Sequence, residues 1–365
     1  MTILLLSKYD TIGASSRIRS LQFLPYIERF GIDVRVAPLF SNRYLKALYS
    51  GGSRWSMVIT AYARRAMVVL VARRFDVIWI EKEIFPFFPA WIESAFFATR
   101  IRYLVDYDDA IFHRYDHHKI AVVRWVLGRK IDTVMRKAGS VVAGNEYLAA
   151  RARRAKAAHI VEIPSVVDLT TYLVHSRRAA NLITVGWIGS PSTSKHLLSF
   201  IDVIETAARQ YPLRFVAVGA DPRTILSNEV EVVPWSKESE VSMIQEFDIG
   251  IMPLPDLPWE RGKCGYKLIQ CMACGVPVIA SPVGVNSRIV AHGVNGYLCS
   301  STEEWLLAFE MLSNDANLRA RLGAAARATI EHTYSLQKQR RALLRELRRV
   351  SSKRSPSKRQ TVARE

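Results

Sequence analysis

Residues 263–298, KCGYKLIQCMACGVPVIASPVGVNSRIVAHGVNGYL, constrain the fold more than any other stretch of this chain. Apolar residues at helical spacing (Leu268, Ile269, Met272, Ala273) predict a helix over Cys264–Cys274, and Gly275 supplies the exit that helix ends favour. Val276–Ala280 is a β-branched run of the kind buried in parallel sheets. A second glycine turn and another short helix follow. Strand, glycine loop and helix in that order build anion sites, because unpaired N–H groups at a helix start face a ligand. The same pattern serves equally as one more αβα unit of a core.

Alternating strands and helices run the length of the chain and predict parallel α/β sheets. The first half offers strands at Ile3–Ser7, Asp33–Pro38, Asp76–Ile80, Tyr103–Asp106, Ser140–Ala143 and His159–Glu162. A second series runs through Leu182–Ile188, Arg214–Val218, Glu231–Val233, Asp248–Met252 and Val276–Ala280. At 365 residues the chain exceeds one hydrophobic core. The expected division is an N-terminal Rossmann-like domain over 1–165, a C-terminal domain over 166–335, a basic helix over 336–350 and a disordered basic tail over 351–365. Ligands of such sheets bind beyond the carboxyl ends of the strands.

The formal net charge is +18, and half of it lies after residue 337: eleven Lys/Arg against two Glu from Lys338 to Glu365. Such a tail suits an anionic membrane face or is merely solvated. No reading motif or aromatic platform accompanies the charge, so no specific nucleic-acid partner is expected. Trp55–Ala72 is apolar, but Arg64 and Arg65 at its centre exclude a membrane span; a surface-docking helix remains open. No secretory leader is visible at the N-terminus. The four cysteines, Cys271 and Cys274 among them, read as buried thiols of a cytoplasmic protein rather than as zinc ligands.

Two loops have phosphate-binding chemistry. Lys8–Arg17 follows the first strand and opens a helix, with Gly13 for close approach, Ser15 or Ser16 as helix cap, and Arg17 and Arg19 as charge. Gly189–Lys195 follows the first strand of the second half and brings Ser190, Thr193 and Lys195 to a helix start. Each could also be a plain βα turn. Asp106, Asp108 and Asp109 end one strand, and Glu81 and Glu83 end the strand before it. Crowded carboxylates are favoured where something binds them, which points to acid–base or metal chemistry, with a helix cap as the alternative. His113, His117 and His118 follow, as a metal group or a polar lid.

The run MACGVPVIASPVGVN with GVNGYL resembles the nucleotide-sugar signature of glycosyltransferase family 4. The resemblance implies the GT-B fold, two doubly wound Rossmann-like domains facing a central cleft. It implies sugar transfer with retention from a nucleotide-diphosphate sugar (UDP or GDP type) to a glycan or lipid-linked acceptor, without metal or cofactor. The first loop (Gly13, Ala14) and second loop (Gly189, Ser190, Thr193, Lys195) would then meet the donor diphosphate. Lys263 and Lys267 would add charge, and Trp235 would stack on the base or pack. Relatives carry two glutamates where this chain has Gly262 and Gln270; Gln270 is expected on the ribose, and Glu260 is the available substitute for the first. With Asp-Asp-Ala in place of the family's histidine, the expected catalytic residues are Asp108, Asp109 and Glu81. A sugar-nucleotide epimerase and a nucleotide-sugar-binding protein without transfer are the rivals. The cysteines fit a reducing cytoplasm, and the basic surface and tail point to the inner membrane face as a peripheral site.

Overall fold

The computed structural model describes residues 1–97, 102–174 and 182–352. The expected linker around 174–181 and the tail beyond Ser352 therefore lie largely outside the described residues. The chain forms two units, Met1–Pro164 with the C-terminal stretch from Arg340, and Ser165–Gln339.

The first unit holds strands β1 (Thr2–Leu6), β2 (Asp33–Val36), β3 (Val77–Glu81), β4 (Tyr103–Tyr107), β5 (Ser140–Ala143) and β6 (Ile160–Glu162). They form one parallel sheet in the order β2-β1-β3-β4-β5-β6. Strands β1, β3 and β4 are almost wholly buried, as their unbroken apolar runs require. Winding reverses between β1 and β3, so their carboxyl ends border the crevice where doubly wound sheets bind ligands. Helix α1 (Ala14–Arg19) follows β1, and Pro25 opens the next helix after a break, where its missing N–H does no harm. Helix α2 (Trp55–Leu70) is no membrane span: Arg65 is buried and donates to the carbonyls of Ser7 and Ala37, while Arg64 donates to those of Pro38 and Leu39. The remaining helices used below are α3 (Ala90–Phe97), α4 (His113–Asp116), α5 (Ala121–Leu127) and α6 (Lys130–Lys137).

The second unit repeats the architecture with β7 (Ile183–Ile188), β8 (Leu213–Val218), β9 (Val230–Val233), β10 (Ile249–Met252), β11 (Val278–Ala280) and β12 (Gly296–Leu298). All are parallel in the order β12-β11-β10-β7-β8-β9, with the switch between β7 and β10. Two apolar layers sandwich this sheet. One is built on Phe247, Leu268, Ile269 and Met272, the other on Trp187, Phe215, Phe309 and Leu322. Helix α7 (Ser194–Leu198) follows β7, and α8 (Tyr266–Ala273) lies beside β10 and β11.

The opening stretch folds as a helix, a turn at Gly275 (φ +71°) and a strand, with two corrections. The strand starts at Val278 rather than Val276, because the Val276 N–H still bonds to Cys271 O in the helix exit and Pro277 has no N–H to give. Gly296–Leu298 adds β12, three residues too short to show a period. The four cysteines are buried and free. The last helix, α9 (Leu336–Ser352), is anchored in the first unit: Ser140 Oγ donates to Glu346 at 3.0 Å and Arg349 to Gly139 O at 2.7 Å.

Candidate functional site

In the first unit, register places Glu81 at the end of β3 beside Asp106 on β4. Neighbouring carboxylates repel, and each has its own partners. Arg19 donates to Asp106 Oδ1 from Nε (3.0 Å) and from its second terminal nitrogen (2.6 Å), and its other arm reaches Ile163 O. Burial, only partly offset by Arg19, pushes the Asp106 carboxyl up to about 6. Glu81 accepts the Lys8 N–H (3.0 Å) and the hydroxyls of Ser15 (2.9 Å) and Ser16 (2.5 Å). The serines therefore hold carboxylates instead of capping α1, whose N-cap is Gly13. Glu81, expected as a catalytic group, is buried, and these hydrogen bonds clamp the first loop to β3. Gly13 is required by the loop itself, since a Cβ there would lie 2.2 Å from Tyr9 Cβ.

Asp108 and Asp109 come together on Lys82. Its Nζ lies 2.8 Å from Asp108 Oδ1 and 3.1 Å from Asp109 Oδ2, and Ser15 Oγ is 2.7 Å from Asp108 Oδ2. Burial disfavours the Lys82 charge, but the two aspartates and Glu81 more than offset it and hold its pKa above the usual lysine range. Lys82 adopts φ +66°, a conformation a side chain of this size rarely takes outside functional sites. The Ser15 hydroxyl has one hydrogen and stands between two carboxylates, Glu81 and Asp108. Glu83 is buried and held by Tyr115 Oη (2.9 and 2.8 Å) and by Lys130 Nζ (2.6 Å), which also meets Glu93 at 2.9 Å. It anchors the loop after β3. Among the described residues the donor cluster compact enough for a metal is His113, Asp116 and His117, away from the aspartate trio. Arg151 already sits 2.9 Å from Asp116 there.

In the second unit, Gly189–Lys195 closes over the end of β7. Thr193 Oγ1 accepts the Ser190 N–H at 3.0 Å, Lys267 Nζ stands 3.5 Å from that same oxygen, and the Lys267 ammonium lies 3.7 Å from the Trp187 ring centroid. Burial first, then neighbouring Lys263, pushes the Lys267 ammonium well below the ordinary lysine range. Such a site favours a lysine charge once an anion arrives. Lys195 is exposed, 3.9 Å from Glu260 Oε1. Glu260 is buried and bonded to His196 Nε2 at 3.0 Å, behind the loop, so it holds α7 in place instead of reaching out as a substitute acid. Burial keeps His196 below its usual pKa despite that partner.

Gln270 and Trp235, expected near ribose and base, share one buried network. Gln270 is buried and donates to Tyr172 Oη (2.9 Å), which donates to Glu240 (2.7 Å); the Trp235 indole N–H donates to the other oxygen of Glu240 (2.8 Å). One buried acid thus ties together both residues expected on ribose and base. Trp235 packs against the core. Lys82, Ser15, Lys130 and His196 were not singled out by the sequence for these roles; Ser15 alone had a signal, as a polar residue in the first loop.

Two parallel six-stranded sheets, each with a polar loop at its switch point, define the GT-B fold. The GT-B neighbours include Anabaena HepE in complex with UDP and glucose (TM-score 0.67, 18% identity, covering 95% of this chain and 99% of that one) and sucrose-phosphate synthase from Thermosynechococcus elongatus (TM-score 0.73, 14% identity, 97% and 100%). Residues 179–315 match the family model Glycosyl transferases group 1. The curated relatives include the N-acetyl-alpha-D-glucosaminyl L-malate synthase of Bacillus anthracis, 32% identical over 81 residues, which are 22% of this chain and 21% of the relative. Another is the D-inositol 3-phosphate glycosyltransferase of Stackebrandtia nassauensis, 38% identical over 107 residues, 26% and 23% of the two chains. The chain thus matches these relatives over roughly a fifth of their length. It carries a glycosyl transferases group 1 domain in the second unit of a GT-B fold.

Proposed function

We propose that this protein is a glycosyltransferase of family 4 that moves a sugar, with retention, from a nucleotide-diphosphate donor of UDP or GDP type to a glycan or lipid-linked acceptor. The observation that carries the reading is Lys267, whose amine is held 3.7 Å from the Trp187 ring centroid and 3.5 Å from Thr193 Oγ1, inside the segment that matches the family model. As the glycosidic bond breaks, negative charge collects on the leaving diphosphate. Lys267, Lys263 and Lys195 and the backbone N–H groups of Gly189–Thr193 stabilise it without reorganising. Asp108, with Asp109 beside it, serves the acceptor side, held in place by Lys82 and the Ser15 hydroxyl. The basic C-terminal stretch fits a protein of the cytoplasm working at an anionic inner membrane face.

Titration calorimetry with UDP, GDP and their sugars tests the donor half. Binding that weakens about tenfold in Lys267→Ala and in Lys195→Ala supports it, and no binding by any nucleotide sinks it. One observation favours a second reading, a nucleotide-sugar-binding protein without transfer: Gly262 has no side chain and Gln270 is bound to Tyr172, so neither offers a carboxylate to the sugar. Donor binding with neither hydrolysis nor transfer across an acceptor panel would select that reading.

A further inference from the structure

The positive charge of this chain falls on one unit, which also holds most of the exposed large apolar side chains among the described residues. By sequence, 1–164 with 340–365 carry 36 Lys/Arg against 16 Asp/Glu, whereas 165–339 carry 15 against 17. Among the described residues, fourteen of the twenty-two exposed large apolar side chains, and every exposed aromatic, also belong to the first unit.

The densest part is α5. Val122, Trp125 and Val126 share one helical face, and that face points to solvent: Trp125 is 87% exposed, Val122 65% and Ile120, just before the helix, 58%. The helix buries Leu127 on its other side. No Asp or Glu occurs from His117 to Ile131, while Lys119, Arg124 and Arg129 are exposed along the same stretch. The apolar surface continues through contacts. Helix α4 adjoins α5, and Tyr115 of α4 accepts the Phe87 N–H at 3.0 Å and meets the Phe87 ring edge-on. Phe88 packs 5.5 Å from Tyr62 of α2, and Trp91, 70% exposed, stands on α3. Phe87 has φ +61°, so the backbone accepts strain at a residue whose ring is left outside.

We propose that the band Ile120–Val126 with Phe87, Phe88 and Trp91 is where the protein seats itself on an anionic lipid bilayer. Aromatic rings at the interface with arginine and lysine heads beside them are the chemistry of peripheral insertion. No described helix is long and apolar enough to cross a membrane. The charge on the unit selects anionic headgroups, each basic residue adding about 1 kcal/mol near such a surface. The inference rests on the membrane part of the reading above and not on sugar transfer. It moves the contact from the basic tail, which adds only charge, to a surface that also supplies apolar depth.

Co-sedimentation of the full chain with phosphatidylcholine vesicles, with and without phosphatidylglycerol, tests it in the absence of any donor or acceptor. The expected result is partitioning at least about tenfold stronger on the anionic vesicles and falling with salt. It should drop about tenfold in the double variant Trp125→Ala, Val122→Ser, with Trp125 fluorescence shifting to the blue in the wild type. Both substitutions are on the surface, so thermal melting should be unchanged. Wild-type binding by the double variant overturns the proposal. So does a wild-type dimer that the double variant breaks while neither binds vesicles, since the face then belongs to a second copy. Failure here leaves donor binding, measured in solution, untouched.

Discussion

Lys82 Nζ and Asp108 Oδ1 stand 2.8 Å apart on a lysine held at φ +66°. That pair decides what the acidic cluster after β4 is. Three carboxylates within four residues suggest repulsion relieved by a ligand. Instead Arg19 satisfies Asp106, and Lys82 satisfies Asp108 and Asp109 together. The cluster is a set of ion pairs built from residues 26 or more positions apart, except that one of its carboxylates also shares a serine hydroxyl.

Lys82→Met should therefore destabilise the protein by about 2–3 kcal/mol, because it strands two carboxylates next to an apolar side chain. The folded pKa of Lys82 lies above its unfolded value, so its contribution is complete below about pH 10 and lost only as pH rises through the folded value. The deficit of the variant should thus be flat between neutral pH and pH 9. Adding Asp108→Asn should recover part of it, with a coupling of about 1 kcal/mol or more in urea melts. Additive effects would mean the pair does not interact.

Lys8 presents the opposite case. Burial, then the positive charges of Lys82 and Arg114, pushes its amine down to about 7, against the ordinary 10.5. Here the charged form is the costly one. The stability that the neutral amine brings is present at alkaline pH and lost as pH falls through about 7. Competitive acetylation followed by mass spectrometry should find Lys8 reacting with a midpoint near neutrality, well below that of exposed lysines. Lys8→Met should be more stable than wild type at pH 6. A midpoint in the ordinary lysine range would refute the burial argument.

Eleven strands were legible because each is a short, mostly apolar run between turn residues, whereas β12, with three residues, was not. Strand ends moved by one or two positions where hydrogen bonding, not side-chain pattern, sets the boundary, as at Val276. The two polar loops were legible as strand-to-helix junctions. The roles of Glu81, Lys82 and Gln270 were not. Glu81 is fixed by Ser15 and Ser16, 66 and 65 residues away, and Gln270 by Tyr172, 98 residues away. A lysine between two glutamates reads as a solvated loop until the fold delivers Asp108 to it. The double-glutamate expectation likewise concerned position in a motif, whereas the buried Tyr172–Glu240 pair decides what residue 270 can be.

That network gives a prediction against intuition. Restoring the acid of the family motif with Gln270→Glu should harm the protein. Tyr172 Oη gives its one hydrogen to Glu240 and takes one from the Gln270 amide. A carboxylate at 270 would bring a second acceptor and a second charge to a buried hydroxyl with nothing left to donate. A loss of about 2 kcal/mol is expected at pH 7, shrinking toward pH 5 as the introduced group protonates. Thermal melts at the two pH values decide it; a variant as stable as wild type at pH 7 would show that the network tolerates the charge.

Gly189→Ala tests the donor loop without touching a charge. A Cβ at this position would lie 2.2 Å from Trp187 Cη2 and 2.7 Å from Thr193 Oγ1. The Trp187 indole is fully buried and has Lys267 against its ring, so it has little room to retreat. Thr193 is the softer neighbour, and moving it breaks its bonds to the Ser190 N–H (3.0 Å) and Ser190 O (2.9 Å) and carries it away from Lys267. The variant should lose about 1–3 kcal/mol of stability from overpacking. If the loop cradles the donor diphosphate, affinity for UDP or GDP should also fall about tenfold, or roughly 1.4 kcal/mol. Calorimetry on variant and wild type at a temperature where both are folded separates the two effects. A destabilised variant that binds nucleotide with unchanged affinity would place the diphosphate elsewhere in the second unit.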